Sequence, residues 1–125
     1  MTQKAILLIA SALGALSVMI GAFGAHALAP LLRATNRVET FETAVKYQMY
    51  HTLALLAVGL LLFKVEHPAL QVAAWAFLIG ILIFSGSLYT LVLTGVTWLG
   101  AITPLGGTAL IVGWAALFYA ILKAL

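Results

Sequence analysis

Arg33-Ala-Thr-Asn-Arg37-Val-Glu39-Thr-Phe-Glu42-Thr-Ala-Val-Lys46-Tyr-Gln-Met-Tyr-His51 is the one polar passage in this chain. Five charged side chains fall within positions 33–46, while the whole sequence holds six Lys or Arg and three Asp or Glu. On both sides lie long apolar runs. A polar island between such runs reads as a connection at a membrane surface, and the rest of the chain reads as what crosses the membrane.

Composition agrees. Hydrophobic residues make up 65% of the chain and charged residues 7%, with a mean hydropathy of +1.20; a soluble domain carries about 25% charged residues. The net charge of +3 is too small and too dispersed for a nucleic-acid partner, and it suits the ends of membrane helices. With no cysteine, disulfides, thiolate metal sites and cysteine nucleophiles are excluded.

Upstream of the island, residues 5–28 carry no charge. At helical rise they span about 36 Å, enough for a hydrocarbon core of about 30 Å. A cleavable leader is the competing reading, with Lys4 as its basic start and Ala25-His26-Ala27 or Ala27-Leu28-Ala29 as a cleavage site. The apolar run exceeds a usual leader core and further spans follow, so a retained span is expected. Within it Ala10, Gly14, Ser17, Gly21 and Gly24 recur at alternating spacings of four and three. In lipid, small residues of this kind mark where another helix approaches closely. Pro30 is expected to close this helix.

The island itself reads as an amphipathic interfacial segment, with Glu42 and Lys46 in the favourable i,i+4 order. It leads into a second span, about 47–63, anchored by Tyr47 and Tyr50. Lys64 to Pro68 is a turn in which His67 reads as a solvated loop residue. A third span covers about 69–93, with a small stripe at Ala73, Ala76, Gly80, Ser87, Thr90 and Thr94. The fourth covers about 104–122, with Thr103 as expected N-cap, Pro104 at the first helical position, and a stripe at Gly106, Ala109, Gly113, Ala116 and Ala120. The stripe period of 3.5 predicts left-handed crossing. The expected fold is one all-α membrane domain: a compact left-handed four-transmembrane-helix bundle with an amphipathic interfacial segment between helices 1 and 2.

Several pieces recur together: Gly21-Ala-Phe-Gly-Ala-His26-Ala-Leu28, Tyr47-Gln-Met-Tyr-His51-Thr-Leu-Ala-Leu, Phe84-Ser-Gly-Ser-Leu-Tyr89, Thr103-Pro-Leu-Gly-Gly107 and Gly113-Trp114. In that order they resemble domain-of-unknown-function family 423, small bacterial membrane proteins related to the eukaryotic transmembrane protein 256. The resemblance implies a four-pass protein of the bacterial inner membrane. It assigns no catalytic residue.

Orientation is not fixed by charge. Lys4, Lys64 and Lys123 fall on one face and Arg33, Arg37 and Lys46 on the other, so the positive-inside rule is balanced. The leader-like start favours cytoplasmic termini, with dual insertion as the alternative.

Three functional classes fit. The first is a structural or interaction protein that forms a homo-oligomer or scaffolds a membrane partner through its small-residue faces. The second is a lipid or small-solute binder. For it, Arg33, Arg37 and Lys46, with the amides of Gly106 and Gly107 at a helix start, are candidate contacts for an anionic headgroup. The third is an enzyme, which the absence of HExxH, Ser-His-Asp order and nucleotide loops disfavours. His26 and His51 lie at matching depths in consecutive helices and are expected to point inward. With Gln48, Tyr47, Tyr89 and Glu42 they form the candidate polar centre, either a ligand site or a structural lock. Two histidines are too few for zinc unless Glu42 or a second copy joins, so neither a metal nor a cofactor is expected.

Overall fold

The computed structural model describes residues 1–125. It is helical throughout: α1 Gln3–His26, α2 Ala29–Ala34, α3 Val38–Leu61, α4 Pro68–Thr94 and α5 Thr103–Ala124, with a 3₁₀ turn at Thr97–Ala101 before α5. Each boundary has a local cause. Thr2 caps α1, its hydroxyl accepting from the Ala5 amide at 3.1 Å, which satisfies one of the free N–H groups of the first turn. After α1, Pro30 lies in the first turn of α2. The expectation that it closes the preceding helix is corrected: proline lacks the amide hydrogen that a first-turn position does not need.

Asn36 takes a left-handed φ of 55°, and Arg37 then donates its amide to Leu32 O at 2.8 Å. That reversal aims the chain into α3. Asparagine tolerates this region better than other non-glycine residues. The interfacial segment and the second span are therefore one continuous helix, and α3 begins at Val38 rather than near residue 47. His67 caps α4, its Nδ1 accepting from the Ala69 amide at 3.1 Å, and its ring meets Tyr119 edge-on. The solvated-loop reading of His67 gives way to a cap. Gly95, at φ 76°, ends α4.

The long helices run alternately up and down. Gln3 Nε2 reaches Gly59 O at 2.8 Å, Gly14 faces Thr52 and Gly24 faces Phe41, so α1 and α3 are antiparallel. Ser85 Oγ donates to Ala44 O at 2.7 Å across α3 and α4. Between α4 and α5, Phe84 lies on Gly106, Gly80 on Leu110 and Phe77 on Gly113. The small stripes of α1 and α5 thus do face neighbouring helices. On α4 the stripe holds only as far as Ser87. Thr90 and Thr94 are exposed and bond carbonyls of their own helix, so their place in the expected stripe is corrected.

The core runs through Ile6, Leu55, Val58, Leu70 and Phe77, all fully buried. α1, α4 and the segment Thr97–Ala124 are long and apolar enough to cross a membrane. α3 equals α1 in length, but its first half carries Glu39, Glu42 and Lys46. Both chain termini and the turn after α3 lie at one end: Met1 and Gln71 exchange hydrogen bonds at 2.7 and 2.9 Å, and Lys123 lies over Tyr119 beside His67.

Candidate functional site

Two polar features stand out against the apolar helices. The first is a chain of hydrogen bonds through the middle of three helices. Gln48, 3% exposed, donates from Nε2 to Leu13 O at 3.1 Å and accepts at Oε1 from the Tyr89 hydroxyl at 2.6 Å. In hydrocarbon no water is at hand, so a buried amide needs protein partners on both its ends. Leu13 O has a neighbour in the Ser17 hydroxyl, which donates to it at 2.9 Å. Gln48 and Tyr89, two residues of the expected polar centre, bond each other, and with the bond to Leu13 O they tie α1, α3 and α4 together.

The histidines part company. His51 is buried, its Nδ1 lying 2.8 Å from Tyr47 O. Its ring is bounded by Tyr47, Phe77 and Trp114, each with centroids 5.9 Å away, and Tyr47 in turn stacks on Phe84 at 4.6 Å. His26 sits exposed in the last turn of α1. The expectation that both imidazoles point inward fails for His26. Counting from Pro30 placed it by depth alone, and depth does not fix the side of the helix. Glu42 is exposed as well and does not join Gln48 or Tyr89. No three His, Asp or Glu side chains converge as a metal would need. One fully buried polar atom, Thr52 Oγ1, has no partner.

The second feature is a cleft of about 510 Å³ where the end of α1, α2 and the first half of α3 meet. Gly21, Gly24 and Ala25 leave room on the α1 side; Leu32, Phe41 and Val45 form an apolar floor; Arg33, Glu42 and Lys46 supply the charge. The cleft exists because a left-handed turn at Asn36 folds α2 back beside α3 while α1 offers only small residues there. Arg33 and Lys46 are both exposed at it.

The remaining anion candidates are used elsewhere. Arg37 donates to Leu91 O at 3.3 Å, so it caps the C-terminal end of α4, where a cation is favourable. Gly106 is buried with the Phe84 backbone against it, a methyl there meeting Phe84 Cα at 2.8 Å. Gly107 faces the Phe84 ring. The open site expected at these glycines is closed at Gly106 by α4 and narrowed at Gly107 by the Phe84 ring. Nor does Thr103 act as N-cap: it lies inside α5 and its hydroxyl pairs with Ser87 at 2.7 Å. The cleft was missed because its residues come from three segments that only the turn at Asn36 brings together.

Comparison with known proteins gives the family. Residues 20–107 match the family model described as "Protein of unknown function (DUF423)". The chain belongs to the DUF423 family. A UPF0382 membrane protein of Staphylococcus epidermidis is 47% identical over 115 residues, covering 89% of this chain and 93% of the relative. The UPF0382 membrane protein YwdK of Bacillus subtilis is 42% identical over 109 residues, 86% of this chain and 88% of the relative. One from Haemophilus influenzae is 42% identical over 111 residues, with 88% and 87% covered. No solved structure matches. The DUF423 match contains every residue lining the cleft, together with Gln48, His51 and Tyr89.

Proposed function

We propose that this DUF423 chain is a single four-pass domain of the bacterial inner membrane that binds the headgroup of an anionic amphiphile in the α1–α2–α3 cleft. The observation that carries the reading is the composition of that cleft: an apolar floor beneath two exposed cations. Arg33 and Lys46 suit a phosphate, with the Arg fork giving geometry and the Lys a point charge. The floor suits the first carbons of an acyl chain. Glu42 on the same wall offers a carboxylate to an ammonium, so a phospholipid carrying both groups is the best-matched class. In this reading α3 is the fourth span, the charges of its first half lie at the headgroup level, and the termini are cytoplasmic.

An oligomerising or scaffolding role is the other reading of the sequence. It relied on small-residue faces being free for partners. Those of α1 and α5 are occupied inside the chain, by α3 and by α4, which lowers its support. No constellation of nucleophile, base and orienting group accompanies the cleft, and binding is preferred to catalysis.

Native mass spectrometry of the protein released from nanodiscs of mixed bacterial phospholipids tests this. Wild type should retain one phospholipid, and the double variant Arg33→Ala, Lys46→Ala should retain it about 30-fold less, from roughly 1 kcal/mol per cation. Equal retention by the two proteins, or none by wild type, ends the proposal.

A further inference from the structure

His51 carries a hydrogen-bonding atom that the chain leaves unused. Its Nδ1 lies 2.8 Å from Tyr47 O. A carbonyl only accepts, so in the neutral ring Nδ1 holds the hydrogen and Nε2 keeps a lone pair. Nε2 has no hydrogen-bond partner within the chain, whereas the other amide and hydroxyl groups around it, on Gln48, Ser85 and Tyr89, are all paired. Nor is it sealed: Thr52 Oγ1 is the only fully enclosed side-chain nitrogen or oxygen left without a partner, so Nε2 keeps a narrow opening to the outside although the residue is 7% exposed.

Depth decides what kind of donor could arrive there. On the proposed reading of α3 as a span with Lys46 at the headgroup level, on which this depth rests, His51 lies five residues, about 7.5 Å, deeper at helical rise. That is just inside the hydrocarbon, where an unmatched acceptor is costly and water is scarce. The donor must itself be soluble in the membrane. The surroundings narrow it further. Tyr47 stacks on the imidazole at an interplanar angle of 28°, Trp114 meets it edge-on at 68°, and fully buried Phe77 lies behind. Tyr47 and Trp114 are 39% and 48% exposed, so the two aromatic residues adjoining the imidazole reach the outer surface of the helices. An aliphatic alcohol would not use those rings, whereas a flat aromatic diol would.

We propose that His51 Nε2 accepts the hydroxyl of a membrane-soluble hydroquinone whose ring rests against Tyr47 and Trp114. The site lies on the α3–α4–α5 side and does not depend on the cleft. Only binding is assigned, with no electron transfer.

The test uses the full chain in nanodiscs, labelled with ¹⁵N-histidine and titrated with decylhydroquinone under a reductant. His26 and His67 serve as internal references. The expected result is a saturable shift of the His51 Nε2 resonance alone. The dimethyl ether of the same molecule, which has the ring but no hydroxyl hydrogen, should bind about ten-fold more weakly, as should hydroquinone to His51→Phe, on the scale of one lost hydrogen bond. His51→Gln, which keeps an acceptor oxygen, should retain part of the affinity. Because the Nδ1 bond lies within α3, neither variant removes a hydrogen bond between helices, and His51→Phe keeps a ring against Phe77 and Trp114. Equal binding of the hydroquinone and its ether overturns the proposal, as does a titration that leaves the wild-type His51 resonance in place. A shift that follows protein concentration rather than ligand also overturns it, since the donor would then come from a second copy.

Discussion

The α4–α5 seam and the α1–α3 seam are built from the same sequence device and end differently. Each sets a stripe of small residues against a neighbouring helix. Between α4 and α5 the sizes interlock in both directions: Gly80 receives Leu110, while Gly106 and Gly113 receive Phe84 and Phe77. The backbones come close and the seam is shut. Between α1 and α3 the fit is loosest along the middle of the seam, where methyl groups added at Gly14 and Gly21 would find neighbours at 3.7 and 3.4 Å, ordinary contact distances, and it is tight at Gly59 against Leu7. At Gly24 the Phe41 ring fills the gap, and beyond it the cleft opens. A small-residue stripe therefore fixes that helices approach. Whether a cavity forms depends on what the partner helix supplies.

That comparison breaks first at Gly106. A side chain there meets the Phe84 backbone, which cannot swing aside. Gly106→Val should cost about 3 kcal/mol, at the upper end of overpacking penalties, and it should do so without changing lipid retention per folded molecule. Unfolding in a mixed-detergent titration reads the first effect and native mass spectrometry the second. A stability within the error of wild type would mean the seam is not closed.

Gly24→Ala is next. Its new methyl meets the Phe41 ring rather than backbone, and that ring borders the cleft, so it has somewhere to go. The expected cost is about 1.5 kcal/mol, together with weaker phospholipid retention as the ring moves into the cleft. Adding Phe41→Leu should restore stability. If Gly24→Ala lowers stability and leaves retention untouched, the cleft and the seam are separate after all.

How much of this was legible beforehand follows from the same contrast. Heptad-spaced small residues located both seams because side-chain period and helix period are matched along a straight element. Gln48 and Tyr89 were named only as neighbours of the histidines, and their mutual bond is what the structure adds. What sequence could not supply were the sides and the turns. His26 and His51 share a depth by counting, yet one faces out and one in. Pro30 and Thr103 carry boundary signals that are correct in kind and displaced in place, because proline fits a first turn as well as it ends one. The cleft depends on the left-handed turn at Asn36, a single residue whose conformation rearranges three segments. The charged approach was read as running into the second span, and the structure makes the two one helix from Val38 onward.

A smaller effect probes the bond that ties α3, and through it the looser seam, to α4. Tyr89→Phe and Gln48→Leu each remove one side of the 2.6 Å bond, and a double-mutant cycle isolates it. The coupling should be about 0.6 kcal/mol, the usual value between membrane helices. Gln48→Leu alone should cost more than Tyr89→Phe alone, because it also drops the bond to Leu13 O. Equal single costs would mean that the α1 bond contributes nothing.

The smallest effect should carry the opposite sign. Gly86 lies inside α4 between Ser85 and Ser87, and a methyl built on it meets nothing within 4 Å. It belongs to neither seam. The only remaining consequence of its missing side chain is backbone freedom, which disfavours helix by about 0.5 to 1 kcal/mol relative to alanine. The Thr90 hydroxyl bonds the Gly86 carbonyl at 2.8 Å, and that bond uses the backbone, so alanine leaves it in place. Gly86→Ala should therefore raise stability by about 0.5 kcal/mol with unchanged lipid retention, measured in the same detergent titration as Gly106→Val. Destabilisation instead would show that this face of α4 meets another surface in the membrane, which would return weight to the oligomeric reading.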